Sequence, residues 1–422
     1  MAAGRSRVNA YVCQDCDLLW TAARPLLKGR FPGLSSMSQE AQMTTTTKPV
    51  ATVSLTIDGR TVQARQESTV LEAARQADIY IPTLCYHPSL KPFGGCRLCI
   101  VEIEKIRGFP TSCTTPVSEG MVVRTDKPEL LELRRNILKL ILTEHPNACL
   151  VCERRTRCKP FDICLRNVQV TERCVTCPKN TRCELQDVAD YIGLQGETIE
   201  NYEYRGLPVL RDNPFFERDY NLCILCGRCV RVCQEVRGAG AVDFTYRGSR
   251  ALVGTAFDRP LTEAGCQFCG ACVDVCPTGA LMDAANEWEG KPDSSVATIC
   301  PYCGVGCRLK VELKDGRMIR TVPDTEGPAN CGQACVKGRY GIVEFVHSPE
   351  RLTDPLVRKD GKFVKVSWEE ALKLVAEKLG KYKGDQFAFV ASAKATNEDN
   401  YVMQKFTRAV MQTNNVDHCA RL

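Results

Sequence analysis

The stretch CILCGRCVRVC at residues 223–233 carries four cysteines in the spacing C-x2-C-x2-C-x3-C, and CQFCGACVDVC at residues 266–276 repeats that spacing. A pattern of this length does not recur by chance within one chain. Closely spaced C-x2-C groups suit metal chelation better than cross-linking, because one short loop brings several thiolates to the same centre. Small residues between these cysteines leave room for a cluster, namely Gly227, Gly270 and Ala271. The two stretches therefore predict a domain with two metal clusters.

Cysteine usage sets this chain apart, since its 422 residues include 27 cysteines and only 4 histidines. Disulfide scaffolds belong to small secreted chains, whereas this chain is large and its first residues lack the apolar segment of a signal peptide. No apolar run is long enough to span a bilayer. We therefore expect a cytoplasmic metalloprotein with no membrane span of its own.

The formal net charge of +6 counts every thiol as neutral. Thiolate-ligated clusters carry net negative charge, so the loaded protein would be more acidic than its composition indicates. The apparent basicity therefore gives no reason to expect a nucleic-acid partner.

Local signals predict secondary structure before the first motif. Alternating apolar residues flank Asp58 and Gly59, a pair typical of a type I′ hairpin. Thr69 and Glu72 form a capping box at the start of a helix. A second helix is expected over 128–143, with a proline at its first position.

A cysteine group follows these elements in CYHPSLKPFGGCRLC, residues 85–99, with a further cysteine downstream. Gly94 and Gly95 let the backbone approach the sulfurs without a Cβ in the way. A four-cysteine zinc site would use the same donors, but the preceding hairpin and helix favour iron. The arrangement resembles the plant-type [2Fe–2S] ferredoxin domain, although its first gap is longer. The candidate ligands are Cys85, Cys96, Cys99 and Cys113.

The next group is HPNACLVCERRTRC at residues 145–158. A histidine four residues before a C-x2-C-x5-C run is a good ligand candidate, since a neutral imidazole replaces a thiolate and raises the cluster potential. The group resembles the [4Fe–4S] cluster with one histidine and three cysteine ligands in relatives of the complex I large subunit. Its candidate ligands are His145, Cys149, Cys152 and Cys158.

A near-repeat departs from that family pattern, because CVTCPKNTRC at residues 174–183 has the same C-x2-C-x5-C spacing. The family's usual CELQ ending belongs to this second copy, whereas the histidine precedes the first. Either two metal sites are present, of which the second could hold zinc, or one cluster draws on both copies; we favour two sites. The additional candidate ligands are Cys164, Cys174, Cys177 and Cys183.

The paired motifs at residues 223–233 and 266–276 resemble the bacterial two-cluster ferredoxin, in which the fourth cysteine of each run ligates the other cluster. The resemblance implies two [4Fe–4S] clusters, one held by Cys223, Cys226, Cys229 and Cys276 and the other by Cys266, Cys269, Cys272 and Cys233.

The last group combines CPYCGVGC at residues 300–307 with CGQACVKGRYG at residues 331–341. It resembles the N-terminal [4Fe–4S] domain of molybdopterin oxidoreductases. In that family a lysine two residues past the last ligand lies between cluster and pterin, which here is Lys337; an ordinary solvated lysine is the alternative. Cys331 does not fit the motif and is expected to be structural. The implied ligands are Cys300, Cys303, Cys307 and Cys335.

Strand and helix signals alternate after this group. They comprise a hairpin about Asp315 and Gly316, a capping box formed by Ser367 and Glu370, the strand FAFVA, and a helix after Asn397. The alternation predicts the beginning of an α/β domain.

The patterns together predict a multidomain α+β chain that carries one [2Fe–2S] and four or five [4Fe–4S] clusters. Residues 1–50 show no periodicity, so we expect a disordered extension or a start codon assigned too early; Cys13 and Cys16 within it stay unassigned. The predicted domains that follow are a β-grasp [2Fe–2S] ferredoxin domain (51–128), a small His/Cys cluster domain (129–200), a two-[4Fe–4S] ferredoxin domain (210–290), a molybdopterin oxidoreductase [4Fe–4S] domain (296–350) and the beginning of a molybdopterin-binding α/β domain (351–422).

No Walker A loop, dinucleotide-binding glycine fingerprint or hydrolytic constellation is present in the sequence. We therefore interpret the chain as a conductor of single electrons. Residues 53–422 resemble the catalytic subunit of cytoplasmic NAD-linked formate dehydrogenases. One alternative is a protein like the large subunit of NADH dehydrogenase (quinone), which usually lacks the double ferredoxin. The others are a non-catalytic electron-transfer subunit and a relative of iron-only hydrogenases, which continue into a different cysteine pattern.

The resemblance to formate dehydrogenases implies interconversion of formate and carbon dioxide at molybdenum or tungsten held by two pterin guanine dinucleotides. Electrons would pass to a partner subunit that binds flavin and NAD. In that family the stretch resembling VDHCARL, residues 416–422, leads into a metal-ligating cysteine or selenocysteine and a catalytic histidine. We therefore expect the catalytic residues just after Leu422, and we hypothesise that a UGA selenocysteine codon was read there as a stop.

Overall fold

The computed structural model describes residues 51–393 and 395–418. The expectations for residues 1–50, including Cys13 and Cys16, lie outside these residues. The described chain divides into two units, one formed chiefly by Ala51–Val375 and the other by Ala376–Ala393 with the chain from Glu398 onward. Within the described residues, no helix is both long enough and apolar enough to cross a bilayer.

The first unit begins with a four-stranded mixed sheet in the order β2-β1-β4-β3. Strand β1 runs antiparallel to β2 and parallel to β4, as in a β-grasp arrangement. The hairpin turn has positive φ at Asp58 (48°) and Gly59 (78°), as a type I′ loop requires. The sheet consists of β1 (Thr52–Ile57), β2 (Arg60–Arg65), β3 (Glu102–Ile103) and β4 (Val122–Arg124).

Helix α1 (Val70–Gln76) covers this sheet with its apolar face. The predicted capping box is present, since the Thr69 hydroxyl accepts from the backbone of Glu72 and the Glu72 carboxylate accepts from the backbone of Thr69. Alternate residues of β1 point into the same core because strand side chains alternate between faces. Local sequence signals therefore determine this domain's framework.

Two helices frame the long cysteine-rich segment that follows. Helix α2 (Pro128–Ile141) begins with proline at its first turn, as predicted, and α3 (Glu184–Ile192) ends at Gly193 in the left-handed region. The two helices share a core that also contains cysteines of the segment. The guanidinium of Arg134, only 1% exposed, donates to three backbone carbonyls and so joins α2 to the preceding domain.

The paired-motif region has an internal repeat of strand, loop and short helix. Strands β5 (Phe216–Arg218) and β8 (Leu281–Asp283) pair antiparallel at its base. The remaining elements are α4 (Arg228–Arg231), a π-helical turn at Val232–Val236, β6 (Asp243–Thr245), β7 (Leu252–Gly254) and α5 (Ala271–Asp274).

The last group of the first unit rests on a three-stranded antiparallel sheet in the order β11-β10-β9. The predicted turn at Asp315 and Gly316 joins β10 to β11, with both residues at positive φ. A π-helical turn at Lys337–Gly341 leads into α6 (Ile342–His347). The strands are β9 (Ser294–Ile299), β10 (Arg308–Lys314) and β11 (Arg317–Pro323).

A hairpin of β12 (Leu356–Lys359) and β13 (Lys362–Lys365) precedes helix α7 (Trp368–Leu379). One half of the predicted capping box is seen here, where the Ser367 hydroxyl accepts from the backbone N–H of Glu370 at 3.1 Å.

The second unit contains a strand–helix–strand arrangement. Strands β14 (Phe389–Ala391) and β15 (Val416–His418) pair in parallel, and α8 (Asn397–Ala409) lies between them in the chain. Parallel neighbours need such a crossover. The strand is shorter than the predicted FAFVA, but the expected α/β alternation is present.

Candidate metal centres

The four thiols of the first group lie together in the domain of the four-stranded sheet. Cys85 makes thiol contacts with Cys96 and Cys113, and Cys113 in turn contacts Cys99. Cys85, Cys99 and Cys113 are fully buried. The backbone N–H of Leu84 donates to the Cys96 sulfur at 3.4 Å.

These contacts shift the pKa values of the thiols in different directions. The hydrogen bond from Cys113, with a second from Cys96, strongly lowers the pKa of Cys85, and the hydrogen bonds that Cys113 donates to Cys85 and Cys99 raise the pKa of Cys113. The hydrogen bond from Cys113 also lowers the pKa of Cys99 to about 7. Four clustered thiols of which some ionise readily form a donor set that fits a [2Fe–2S] cluster.

The paired motifs place their cysteines in two sets, each made of three thiols of one motif and the last thiol of the other. Cys276 interacts electrostatically with Cys223, Cys226 and Cys229, and these four line a cavity of about 20 Å³. The corresponding set around a second cavity of about 40 Å³ consists of Cys266, Cys269, Cys272 and Cys233.

The two motifs fold with nearly the same backbone. Leu225 (φ 50°) and Phe268 (φ 49°) hold equivalent left-handed positions, where each donates its N–H to the first sulfur of its motif at 3.4 Å. Such N–H donors stabilise thiolates and tune cluster potentials. Burial raises the pKa of the free thiols here, to about 11 at Cys223, so ionised ligands would depend on the charge of bound iron.

His145 is buried and lies 2.9 Å through its Nδ1 atom from the carbonyl oxygen of Pro146. Because a carbonyl only accepts, Nδ1 carries the proton and Nε2 keeps its lone pair for a metal. Burial lowers the pKa of His145 to about 4, so the imidazole is neutral at pH 7.

The two copies of C-x2-C-x5-C meet in the structure. Cys149 of the first copy contacts the Cys174 thiol of the second. His145 lines one cavity of about 260 Å³ together with Cys174, Cys177 and Cys183. The other cysteines of this segment do not line that cavity; Cys158 is exposed, and Cys152 and Cys164 are half-buried.

The thiols of the last group also interact with one another. Cys300 and Cys307 each interact with Cys303 and Cys335, and the backbone N–H of Cys300 donates to the Cys307 carbonyl at 2.8 Å. A Cβ at Gly338 would lie 3.4 Å from the Cys300 sulfur, so the residue after Lys337 packs against this set. Lys337 itself is exposed, and so is Cys331.

Sequence reasoning missed three buried arginines that join neighbouring cysteine groups. Arg231 donates to the carbonyls of Lys91 and Cys85. Arg228 forms a two-pronged ion pair with Glu184 at 2.7 and 2.8 Å. The one feature of the sequence that could have indicated these arginines is their position, since each lies inside or just after a cysteine motif.

Arg339 is the third of these arginines. It follows the last cysteine group and pairs with Asp274 and with Asp283, the latter at 3.1 Å. A Cβ at Gly270 would lie 2.2 Å from the Arg339 side chain, so glycine is needed there for space as well as for its φ of 72°.

Among residues 51–393 and 395–418, no three or more His, Cys, Asp or Glu side chains form a group that could hold a metal ion. A cubane binds each thiolate to a different iron and so spreads its ligands more widely than a single ion does. The fit to clusters rests on the donor types and on their grouping in fours.

Five family models match successive parts of the chain. Residues 50–128 match a 2Fe-2S iron-sulfur cluster binding domain, and 134–160 match the NADH-ubiquinone oxidoreductase-G iron-sulfur binding region. Residues 213–282 match the ferredoxin-like domain of NADH-quinone oxidoreductase subunit 3. Residues 293–347 match the molybdopterin oxidoreductase Fe4S4 domain, and 351–422 match molybdopterin oxidoreductase. Successive parts of the chain thus match iron–sulfur domains described for NADH-quinone oxidoreductases and regions described for molybdopterin oxidoreductases.

Similar proteins carry different names. A G-type subunit of NADH-quinone oxidoreductase from Rhizobium meliloti is 37% identical over 87% of this chain and 40% of its own length. The alpha subunit of an NADPH-Fe(3+) oxidoreductase of Geobacter sulfurreducens is 34% identical over 88% of this chain and 40% of its own length. A Staphylococcus aureus protein provisionally named formate dehydrogenase is 32% identical over 87% of this chain and 39% of its own length. The chain spans about 40% of the length of these curated relatives.

One solved structure has a TM-score of 0.45 and 28% identity to this chain. It is a crystal structure of an NAD+-reducing [NiFe]-hydrogenase in the H2-reduced state, and the match covers 56% of this chain and 88% of the other.

Proposed function

We propose that this chain conducts single electrons through a row of protein-bound iron–sulfur clusters in a larger oxidoreductase. The observation that carries the proposal is that each of the other cysteine groups contacts the paired-motif region at or near candidate ligand residues. Iron–sulfur clusters, when bound, accept and release one electron at a time. The contacts determine which clusters would be neighbours.

The first connection joins the β-grasp group to the paired motifs. Arg231 stands two residues after Cys229, and its guanidinium donates to the carbonyl of Cys85 while it stacks on Phe93 at 4.7 Å. The Arg231 side chain therefore holds Cys85 of the first group against helix α4, which carries Cys229 of the paired motifs.

The second connection joins the His145 segment to the paired motifs. A Cβ at Gly279 would lie 2.9 Å from the Cys177 sulfur, so that thiol packs directly against the loop that follows Cys276. The Lys179 ammonium donates to the Cys276 carbonyl at 3.1 Å. These contacts hold the two groups directly against each other at this point.

The third connection is Arg339, which lies against Gly270 within the second motif and belongs to the turn that packs on Cys300. Arg339 is 4% exposed and pairs with carboxylates on both sides of Cys276, at Asp274 and Asp283. It therefore fixes the last group next to the paired motifs.

For the whole protein we propose formate dehydrogenase activity, with molybdenum or tungsten held by two pterin guanine dinucleotides and a flavin- and NAD-binding subunit as electron partner. The support is the match to molybdopterin oxidoreductase together with the resemblance of residues 53–422 to formate dehydrogenases. Lys337 is proposed to lie between the last cluster and the pterin, because it is exposed beside the turn that contacts Cys300.

The second candidate function is electron transfer in an NADH-quinone oxidoreductase, because the G-type protein of Rhizobium meliloti is similar over most of this chain. Although the sequence led us to expect that such a subunit lacks the paired motifs, they do not discriminate between the two candidates, because residues 213–282 match the ferredoxin-like domain of NADH-quinone oxidoreductase subunit 3.

The conductor proposal is tested by purifying the chain anaerobically, counting iron and sulfide, and titrating its reduction by electron paramagnetic resonance. We expect one [2Fe–2S] signal and several [4Fe–4S] signals, all reducible. A protein that binds zinc but no iron would reject the proposal. The activity proposal is tested separately, by purifying the native complex that contains this chain and assaying formate-dependent NAD+ reduction against NADH-dependent quinone reduction. Quinone reduction without formate oxidation would favour the second candidate.

A further inference from the structure

The histidine-containing segment offers two equivalent sets of cysteines for one histidine. The copies CLVCERRTRC (149–158) and CVTCPKNTRC (174–183) have identical cysteine spacing. The family match at 134–160 covers only the first copy, which would assign His145 to Cys149, Cys152 and Cys158. Spacing alone cannot decide between the copies.

The cavity beside His145 is lined by the second copy. Cys174, Cys177 and Cys183 face the same volume of about 260 Å³ as the imidazole, and Gln186 of α3 also lines it. Cys152 and Cys158 are not among the lining residues. The cavity is far larger than a single ion, so it suits a group with several metal atoms.

The third cysteine of each copy shows why the copies differ. Cys183 immediately precedes α3, and the backbone N–H groups of Leu185 and Gln186 donate to its sulfur. Cys158 is followed by Lys159 and Pro160, and proline cannot supply a backbone N–H. Cys158 is accordingly exposed, and its thiol donates to the Arg154 carbonyl.

The second copy is also the one next to the paired motifs. The Cys177 thiol packs against Gly279, and the Cys183 thiol donates to the Pro277 carbonyl at 3.6 Å. Both contacts are made by residues just after Cys276, a predicted ligand of the neighbouring cluster. A centre built on the second copy would thus lie directly beside the next centre in the row.

We infer that one [4Fe–4S] centre takes its imidazole from before the first copy and its thiolates from the second, with ligands His145, Cys174, Cys177 and Cys183. Cys152, Cys158 and Cys164 are not ligands of this centre. The inference rests on the proposal that the chain binds iron–sulfur clusters, and it assigns the site differently from the match to the first copy.

The test uses matched pairs of variants in the full chain, purified anaerobically. Cys177→Ser and Cys183→Ser are expected to lose about four irons per chain and one [4Fe–4S] resonance. Cys152→Ser and Cys158→Ser, at the same positions of the first copy, are expected to keep that resonance. The other resonances report whether each variant is folded.

A second measurement examines the histidine. His145→Cys is expected to keep its iron but to shift the midpoint potential of the same resonance downward, since a thiolate replaces a neutral imidazole. An unchanged potential would show that His145 is not a ligand.

Loss, in Cys152→Ser or Cys158→Ser, of the same resonance that Cys177→Ser and Cys183→Ser are expected to remove would overturn the assignment. Wild-type protein without any iron would instead reject the proposed function, so the two failures are distinguishable.

Discussion

Two regions of the molecule join neighbouring cysteine groups through a buried arginine, and they do so with different partners. At the first, Arg231 is 8% exposed and donates to the neutral carbonyls of Lys91 and Cys85. At the second, Arg339 is 4% exposed and pairs with the carboxylates of Asp274 and Asp283.

The two regions differ in which group would lose its partner if the arginine were removed. A carbonyl that loses a donor keeps no charge and water can replace part of the bond, whereas a buried carboxylate that loses its cation is left with an uncompensated charge. We therefore expect the region around Arg339 to depend more on its arginine than the region around Arg231 does.

Arg339→Ala should have the largest effect, because it leaves Asp283 buried without its cation. We expect the free energy of local opening of α5 and β8 to fall by about 3 kcal/mol. Hydrogen exchange of peptides covering 271–283 measures this. Arg339→Lys keeps the charge but not the two-pronged geometry, so its free energy of local opening should lie between those of Arg339→Ala and wild type. A decrease of less than about 1 kcal/mol in Arg339→Ala would contradict the expected difference between the Arg339 and Arg231 regions.

Alanine substitutions of the equivalent glycines in the two cysteine motifs test the importance of the Arg339 region further. Gly270 and Gly227 have nearly equal φ values of 72° and 71°, so alanine at either position has a backbone cost of about 1–2 kcal/mol. At Gly270 the new Cβ would also lie 2.2 Å from Arg339, whereas at Gly227 its nearest neighbour would be the Phe244 ring at 3.0 Å. Gly270→Ala should therefore destabilise its motif by about 1–3 kcal/mol more than Gly227→Ala does.

Coupling between Gly270 and Arg339 checks the origin of that difference. The double variant Gly270→Ala/Arg339→Ala should be less destabilised than the sum of the single variants, since the collision is gone. Simple additivity, measured by the same hydrogen exchange, would mean that the collision is not the cause.

Arg231→Ala should have a smaller effect, about 2 kcal/mol, since it removes charge-assisted hydrogen bonds to neutral carbonyls. The loss should appear as faster hydrogen exchange in residues 85–91. Arg237→Ala serves as control, because the Arg237 guanidinium donates to the Gln267 side chain at 3.3 Å in an exposed contact. An equal effect of the two substitutions would remove any role for Arg231 in joining the groups.

The sequence predicted local features well, because their causes lie within a few residues. The Asp58-Gly59 and Asp315-Gly316 turns and the Thr69 capping box are all present. The resemblance to two-cluster ferredoxins implied the two sets of four cysteines that interact in the structure, and their ligation of iron stays a prediction.

The arginine contacts could not be predicted in this way. Arg231 and Cys85 are 146 positions apart, and Arg339 and Asp283 are 56 apart, so only the packing of whole domains brings them together. The division between the two C-x2-C-x5-C copies was equally undecided, since burial rather than spacing distinguishes Cys183 from Cys158.

Of the three arginine contacts, the Arg228–Glu184 pair should show the smallest effect. Its arginine is buried like the other two, at 2% exposed, but the Glu184 side chain is 48% exposed, so water screens the carboxylate. We expect Glu184→Gln to lower the local stability of α3 by less than about 1 kcal/mol, and the loss to shrink as salt rises from about 0.05 to about 0.5 M. Hydrogen exchange of residues 184–192 at both salt concentrations measures it. A loss as large as that of Arg339→Ala, and independent of salt, would show that burial of the arginine alone decides the strength of these contacts and that the exposure of the partner does not.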